Sequence, residues 1–279
     1  MDLDGLAGRI YGPVRVQIQP VQVSAYVDAT GDDPDRWQMA APPSFGSALL
    51  FAVAPLFLSD PLVSKQVRSV LHGEQTFEWH RPLGIGRTVE VIGSVERVRA
   101  RSGAAFITFA MTVGDGTPLV EGVSLFVASG DASAPGEDGG EPDVEERGPN
   151  EMPHPLVFPG NGSVVAPFHK SASREDLVKY AGASRDWNPI HWDHASAVAA
   201  GLEGVIVHGL LSAAWVTQAA VRYSTSDRPL ARARFRFRSP LRPAVAVRAT
   251  GEVMEKARLR MTLESDTDVH VTAEVTVTR

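Results

Sequence analysis

The sequence predicts an α+β fold made of two similar halves, each a long antiparallel sheet wrapped around one central helix. Residues 209–221 are apolar nearly all round, which is typical of a buried helix. Strands follow this helix, and residues 269–277 place an apolar side chain at every second position. The first half repeats the order, with an apolar helix at residues 45–57 and alternating segments at residues 88–127. A buried helix followed by several long strands favours a sheet packed around that helix.

The two halves read as distant copies of each other. Four matches occur in the same order in both: residues 13–26 with 167–180, Thr30 with Ser184, Asp32 with Asp186, and residues 76–86 with 234–244. The first of these segments begins with Pro and ends with Tyr at the same spacing in each half. Similarity that recurs in order along a chain indicates an internal duplication.

Between the halves, residues 129–150 are rich in Gly, Pro, Ser and acidic side chains and have almost nothing apolar to bury. Such a segment cannot offset the entropy of ordering, so we expect a mobile linker. The chain then divides into a first repeat at residues 1–128, the linker at residues 129–150, and a second repeat at residues 151–279.

Composition narrows the classes of function. The 279-residue chain is 43% hydrophobic, enough for a sizeable core, and its net charge of −6 disfavours nucleic acid as a partner. It has no cysteine, which excludes disulfides, thiol nucleophiles and cysteine metal sites. Residues 1–12 lack the pattern of a signal peptide, and no apolar run has the length of a membrane span. We therefore expect a soluble, cytoplasmic protein that binds no membrane.

The second repeat contains the residues best suited to chemistry. Asp186 and His191 lie five positions apart across an Asn-Pro turn, and His208-Gly209 opens the apolar helix. An acid or base pair beside a helix N-terminus is what the addition of water to a polarised carbonyl compound requires. Taken alone, Asp186 would more often be a turn residue and His191 a structural histidine.

A family resemblance favours catalytic over structural roles for Asp186 and His191. The segment YAGASRDWNPIHWD, followed by GVIVHGLLSAAW, closely resembles the MaoC-like, or (R)-specific enoyl-thioester hydratase, family of hotdog folds. In the first repeat, LHGEQTFEWHRPLGIG and APPSFG look like the substrate-binding partner repeat of that family. The arrangement is similar to the two-subunit β-hydroxyacyl-carrier-protein dehydratases of actinobacterial fatty-acid elongation, joined in one polypeptide. The resemblance covers nearly all of the chain except the termini and the linker, and it implies a double hotdog with the active site between the repeats.

The resemblance also implies roles. Asp186 and His191 would hold and activate water, as general base and general acid, in the hydration of a trans-2-enoyl thioester or the reverse dehydration of an (R)-3-hydroxyacyl thioester. The backbone N–H of Gly209 would stabilise the charge that develops on the thioester oxygen. The supporting residues would be Asn188, Ser184, Ser212 and His208, with His208 either orienting the loop or touching substrate. One departure is Arg185, where many relatives have Gly; it either restricts the turn or projects charge towards a ligand.

The first repeat lacks a counterpart of the Asp186–His191 pair. It keeps Asp32, but Trp37 falls where His191 would be, and Phe45-Gly46 falls where His208-Gly209 would be. One repeat is therefore expected to be catalytic and the other to hold the acyl chain. We expect neither a metal nor a redox cofactor, because His191, Asp193 and His194 find no convincing further ligands.

Other readings stay open at this stage. A hotdog thioesterase would use the same helix N-terminus, and a non-catalytic acyl-thioester-binding protein would use the same pocket. The substrate carrier is coenzyme A or an acyl carrier protein, and the joined repeats act as one pseudo-dimer or pair further into a homodimer. The arginines of RARFRFR, residues 232–238, form a solvated strand face or contact the phosphates of the carrier.

Overall fold

The computed structural model describes residues 3, 5–101, 103–131, 134–141 and 148–278. The strands of the first repeat are β1 Ile10–Gln17, β2 Ala40–Ala41, β3 Ser69–Trp79, β4 Leu83–Gly84, β5 Thr88–Arg101, β6 Ala104–Gly114 and β7 Pro118–Ser129. Those of the second repeat are β8 Val164–Lys170, β9 Leu230–Phe237, β10 Val247–Val253, β11 Arg258–Glu264 and β12 Val269–Val277. The helices are α1 Pro20–Thr30, α2 Gly46–Leu50, α3 Ala54–Leu58, α4 Pro61–Ser64, α5 Arg174–Ser184, α6 His194–Ala199 and α7 Gly209–Val221.

Ten of these strands form one antiparallel sheet, in the order β1-β5-β6-β7-β3-β9-β12-β11-β10-β8. The first five strands in this order come from the first repeat and the last five from the second. The two halves meet where β3 pairs with β9, from Glu74 opposite Arg236 to Glu78 opposite Arg232. The predicted fold class, two helix-wrapping sheets, is confirmed, and the duplication appears as two sheet halves joined edge to edge.

The arginines of β9 lie on the exposed face of this junction. Arg234 and Arg236 both pair with Glu74, at 2.7 and 3.0 Å, and Arg232 pairs with Glu78. Exposed pairs of this kind contribute little stability, about 0–1 kcal/mol each. They nevertheless join the two repeats, so these side chains form the solvated strand face expected from their alternation.

The central helices differ between the repeats. In the second repeat, α7 spans the predicted residues Gly209–Val221, and every residue after Gly209 is buried. In the first repeat the apolar segment breaks after Leu50 and resumes at Ala54, as α2 and α3. Pro55 lies in the first turn of α3, where its missing N–H costs nothing. The helix that carries the candidate site is therefore the continuous one.

The helices before the two loops, α1 and α5, place their tyrosines at the centre of the molecule. Tyr26 and Tyr180 are fully buried, and their ring centroids lie 5.8 Å apart. The hydroxyl of Ser47 lies 2.9 Å from the Tyr26 hydroxyl and 3.3 Å from that of Tyr180. A capping box of Ser173 and Asp176 fixes the start of α5.

The described part of the linker lies along the second repeat. Gly136 N–H donates to the carbonyl of Val198 at 2.8 Å, and Gly139 N–H donates to that of Glu203 at 2.8 Å. Residues 132, 133 and 142–147 lie outside the described residues, and the mobility expected for the linker stays a prediction. Among the described residues no helix is both long and apolar enough to cross a membrane.

Candidate active site

The site is built on the loop that leaves α5. Ser184, the last residue of that helix, donates its hydroxyl to the carbonyl of Tyr180 at 2.7 Å and accepts the N–H of Asp186 at 3.3 Å. Arg185 between them adopts the left-handed conformation, with φ 66° and ψ 18°. A single left-handed residue turns the chain sharply at a helix end, and this turn directs Asp186 back into the protein.

The Asn-Pro step then forms a tight turn. Asn188 N–H approaches a carboxylate oxygen of Asp186 at 3.4 Å, and the Asn188 side-chain oxygen accepts the N–H of Ile190 at 3.5 Å. Pro189 to His191 form a short 3₁₀ helix that Asn188 caps. The turn brings Asp186 and His191 to the same place, as the spacing predicts.

His191 is held in one orientation and in one protonation state. It is 6% exposed, and its Nδ1–H donates to the carbonyl of Ile206 at 2.8 Å. Burial lowers the pKa of His191 to about 4, so the imidazole is neutral at neutral pH. With Nδ1 as the donor, Nε2 carries the lone pair and can accept a proton.

His208 supports both members of the pair. It is fully buried; its Nε2–H donates to the backbone carbonyl of Asp186 at 3.2 Å, and its ring stacks on His191 with centroids 3.8 Å apart. On its other side the ring contacts Tyr180, with centroids 4.8 Å apart. Of the two roles left open from the sequence, this geometry favours orienting the loop.

The carboxylate of Asp186 has a strongly shifted pKa. Burial raises its pKa to about 7, and the N–H of Asn188 opposes this only in part. A carboxyl group with that pKa exists in both protonation states at neutral pH, which suits a group that gives and takes a proton. One side-chain atom from each of Asp186, His191 and His208 lies within 4.8 Å of the others.

The start of α7 lies beside this cluster, since His208 is the residue that precedes it. No side chain caps the helix there, so its first amides are available to a ligand. A Cβ on Gly209 would lie 3.2 Å from the Phe237 ring and would crowd it, and glycine also allows a ligand to approach the backbone closely. Ser212, one turn further, is 3% exposed.

The metal-ligand set considered from the sequence is not brought together. Asp193 caps α6 by accepting the N–H of Ala195 at 3.2 Å, and His194 pairs with Asp138 at 2.9 Å. Asp186, His191 and His208 are close enough to share an ion, as are the side chains of Glu78, His80 and Glu121 on the sheet. The expected absence of a metal from the reaction stays a prediction.

Sequence reasoning missed the contact between the repeats that supports the site. Ser47 of the first repeat reaches the hydroxyl of Tyr180, and Tyr180 packs on His208. The superposition of Tyr26 on Tyr180 could have predicted this contact, because two equivalent tyrosines in a duplicated fold meet near its pseudo-twofold axis. For Arg185 the sequence leaves two roles open, restricting the turn or projecting charge towards a ligand, and the structure adds that the residue is left-handed.

Comparison with known proteins is consistent with these observations. The MaoC-like domain matches residues 161–275, and the FAS1-like dehydratase domain region matches residues 6–120. A UPF0336 protein of Saccharopolyspora erythraea is 30% identical over 155 residues, which are 50% of this chain and 99% of that protein. The mitochondrial 3-hydroxyacyl-[acyl-carrier-protein] dehydratase of Arabidopsis thaliana is 54% identical over 39 residues, 14% of this chain and 24% of that protein.

Solved structures agree in fold. A MaoC-like dehydratase superposes with a TM-score of 0.82 at 22% identity, covering 99% of each chain. A conserved Mycobacterium tuberculosis protein described as a double hotdog superposes with a TM-score of 0.62 at 13% identity, covering 97% of this chain and 96% of that one. The fold is thus a double hotdog, a single chain that forms its own pseudo-dimer. The chain belongs to the MaoC-like family of hydratases and dehydratases.

Proposed function

We propose that the protein hydrates trans-2-enoyl thioesters and, in reverse, dehydrates (R)-3-hydroxyacyl thioesters. The observation that carries the proposal is the buried cluster of Asp186, His191 and His208 next to the uncapped start of α7. The imidazole of His191 is neutral at neutral pH and has a free lone pair, and burial raises the pKa of the Asp186 carboxyl group to about 7. Both are suited to moving a proton at neutral pH.

In the proposed reaction, water lies between Asp186 and His191. One of the two takes a proton from it as its oxygen bonds to the β-carbon, and the other delivers a proton to the α-carbon. In dehydration the two exchange roles. The negative charge on the thioester oxygen meets the N–H of Gly209, a donor whose loss typically costs about 10²–10³ in rate. His208 holds the backbone of Asp186 throughout.

The proposed reaction uses no redox cofactor and no resident metal. The acyl thioester is carried on coenzyme A or on an acyl carrier protein, and the first repeat holds the acyl chain. The support for this division is that Trp37 and Phe45 stand where the second repeat has His191 and His208.

The test is hydration of trans-2-butenoyl-coenzyme A, followed by loss of the absorbance of the conjugated double bond. We expect the (R)-3-hydroxy product, and His191→Gln should lower turnover by about 10²–10⁴ because an amide cannot exchange the proton. Release of free thiol, detected with a thiol reagent, would identify a thioesterase instead. Tight binding of the thioester without either reaction would identify a binding protein.

A further inference from the structure

The chain between His191 and His208 supplies the hydrogen bonds that hold His191 in place. We call residues 192–207 the support segment; it contains α6 and the turn that follows that helix. Ile206 near its end accepts the Nδ1–H of His191 at 2.8 Å and donates its own N–H to the carbonyl of Ile190 at 3.2 Å. A displacement of the support segment would therefore move the carbonyl on which the orientation of His191 depends.

Part of the linker lies directly on the support segment. The N–H of Gly136 donates to the carbonyl of Val198 near the end of α6, at 2.8 Å. The N–H of Gly139 donates to the carbonyl of Glu203 in the following turn, also at 2.8 Å. We call residues 136–141 the docked segment. Its main chain thus bonds to α6 and to the turn at separate points, which fixes it along the support segment.

Charged side chains add contacts along the docked segment. Asp138 accepts the Nε2–H of His194, at the start of α6, at 2.9 Å. Glu141 pairs with Arg174, the first residue of α5, and Arg242 donates to two main-chain carbonyls of the docked segment. These contacts reach both helices that flank the loop of the candidate active site, α5 before it and α6 after it.

Close approach accounts for two glycines that the composition alone would assign to flexibility. A Cβ on Gly136 would collide with the main-chain carbonyl of Leu202, and a Cβ on Gly139 would collide with the guanidinium of Arg242. The end of an arginine side chain can move aside, but the main chain of the turn cannot do so easily. Glycine at position 136 therefore allows the linker to lie this close to the support segment.

We propose that the docked segment holds the support segment in place and so positions His191. This rests on the proposed function, in which His191 exchanges a proton with water. The docked residues act through α6 and the turn, and they are therefore positioning residues. The linker then does more than join the two repeats, because it completes the support of the site in the second repeat.

The experiment compares wild type with Gly136→Ala, Asp138→Ala and the matched control Gly160→Ala. Gly160 is exposed and lies outside the docked segment, and a Cβ there meets nothing closer than 3.9 Å. In Gly136→Ala and Asp138→Ala, the amide of Ile206 should exchange its hydrogen about tenfold faster than in wild type. In Gly160→Ala it should exchange at the wild-type rate. Amides of β6 in the first repeat are the internal reference and should not change.

Two further measurements report on His191 itself. In Gly136→Ala, kcat for trans-2-butenoyl-coenzyme A should fall about tenfold while KM stays within about twofold, because a misplaced imidazole impairs proton transfer more than binding. The nuclear magnetic resonance signal of the His191 Nδ1–H, observed in protein with isotope-labelled histidine, should shift in the same variant. Both should match wild type in Gly160→Ala.

Several results would overturn the proposal. Unchanged exchange at Ile206 would mean that the linker is only a tether, and equally faster exchange in β6 would mean a general loss of stability. Faster exchange at Ile206 with an unchanged kcat would mean that the contact does not position His191. The exchange and resonance measurements need no turnover. If both change as expected in a protein whose wild type does not hydrate the thioester, only the proposed function fails.

Discussion

The two loops that follow Tyr26 and Tyr180 are built alike and filled differently. In both, the helix ends with a hydroxyl that bonds the tyrosine carbonyl, Thr30 to Tyr26 at 2.9 Å and Ser184 to Tyr180 at 2.7 Å. In both, a left-handed residue follows, and then an aspartate. The shared parts are those that shape the backbone, so the scaffold of the loop is separable from its chemistry.

The side chains around the first loop are packed against one another in the interior. Phe45 replaces His208 and packs edge-on against Tyr26, with ring centroids 5.3 Å apart. Burial raises the pKa of Asp32, while the nearby ammonium of Lys170 opposes the shift. Lys170 itself donates to the carbonyl of Gly31 at 2.7 Å, and burial lowers its pKa to about 7. Where the second repeat keeps a histidine pair, the first has aromatic packing and a lysine.

The largest difference should appear when the two aspartates are changed in turn. Asp186→Asn removes a group proposed to transfer a proton and should lower turnover of trans-2-butenoyl-coenzyme A by about 10³. Asp32→Asn, at the superposed position, should change turnover by no more than a few-fold. Initial rates at saturating substrate, with circular dichroism to verify folding, measure both. Equal losses from the two substitutions would mean that the repeats share the chemistry.

Asp186 should also affect stability in a pH-dependent way. Its pKa is raised from 3.8 to about 7 in the folded protein, so the folded state holds this proton more tightly than the unfolded chain. Stability from this group is therefore present at low pH and lost as pH rises towards 7. Relative to wild type, Asp186→Asn should gain about 2–3 kcal/mol in free energy of unfolding between pH 5 and pH 8. Urea titrations at the two pH values measure it, and a pH-independent difference would contradict it.

His208 and Phe45 precede the central helices of the two repeats, and exchanging them tests how far the two loops differ in function. His208→Phe keeps an aromatic ring but loses the hydrogen bond to the carbonyl of Asp186. A small displacement of Asp186 should then lower kcat by about 10–100-fold. Phe45→His buries an imidazole without a partner and should cost about 1–3 kcal/mol of stability while activity stays within a few-fold. If His208→Phe left kcat unchanged, His208 would be only a packing residue.

How much of the fold and of the site could be predicted from the sequence depends on whether the interactions are local or come from tertiary packing. Alternation and apolar runs predicted α7 to the residue and the sheet in both repeats, because those patterns are local. The Asn-Pro turn likewise predicted that Asp186 and His191 converge. The stacking of His191 on His208 and the contact of Ser47 with Tyr180 depend on tertiary packing, which no local pattern encodes. The motif pointed to His208 but left its role undecided.

The last comparison concerns Gly31 and Arg185, the left-handed residues that follow α1 and α5. Arg185→Gly removes the penalty of a side chain at positive φ and should raise the free energy of unfolding by about 1 kcal/mol. Gly31→Ala, at the same conformation, should lower it by at least as much, because its Cβ would meet Asn150 and Lys170 within 3.0 Å. Chemical denaturation of both variants gives the signs. A stabilised Arg185→Gly would show that the side chain at this turn is a cost to the fold. A destabilised one would mean that the Arg185 side chain stabilises the fold by more than the left-handed conformation costs.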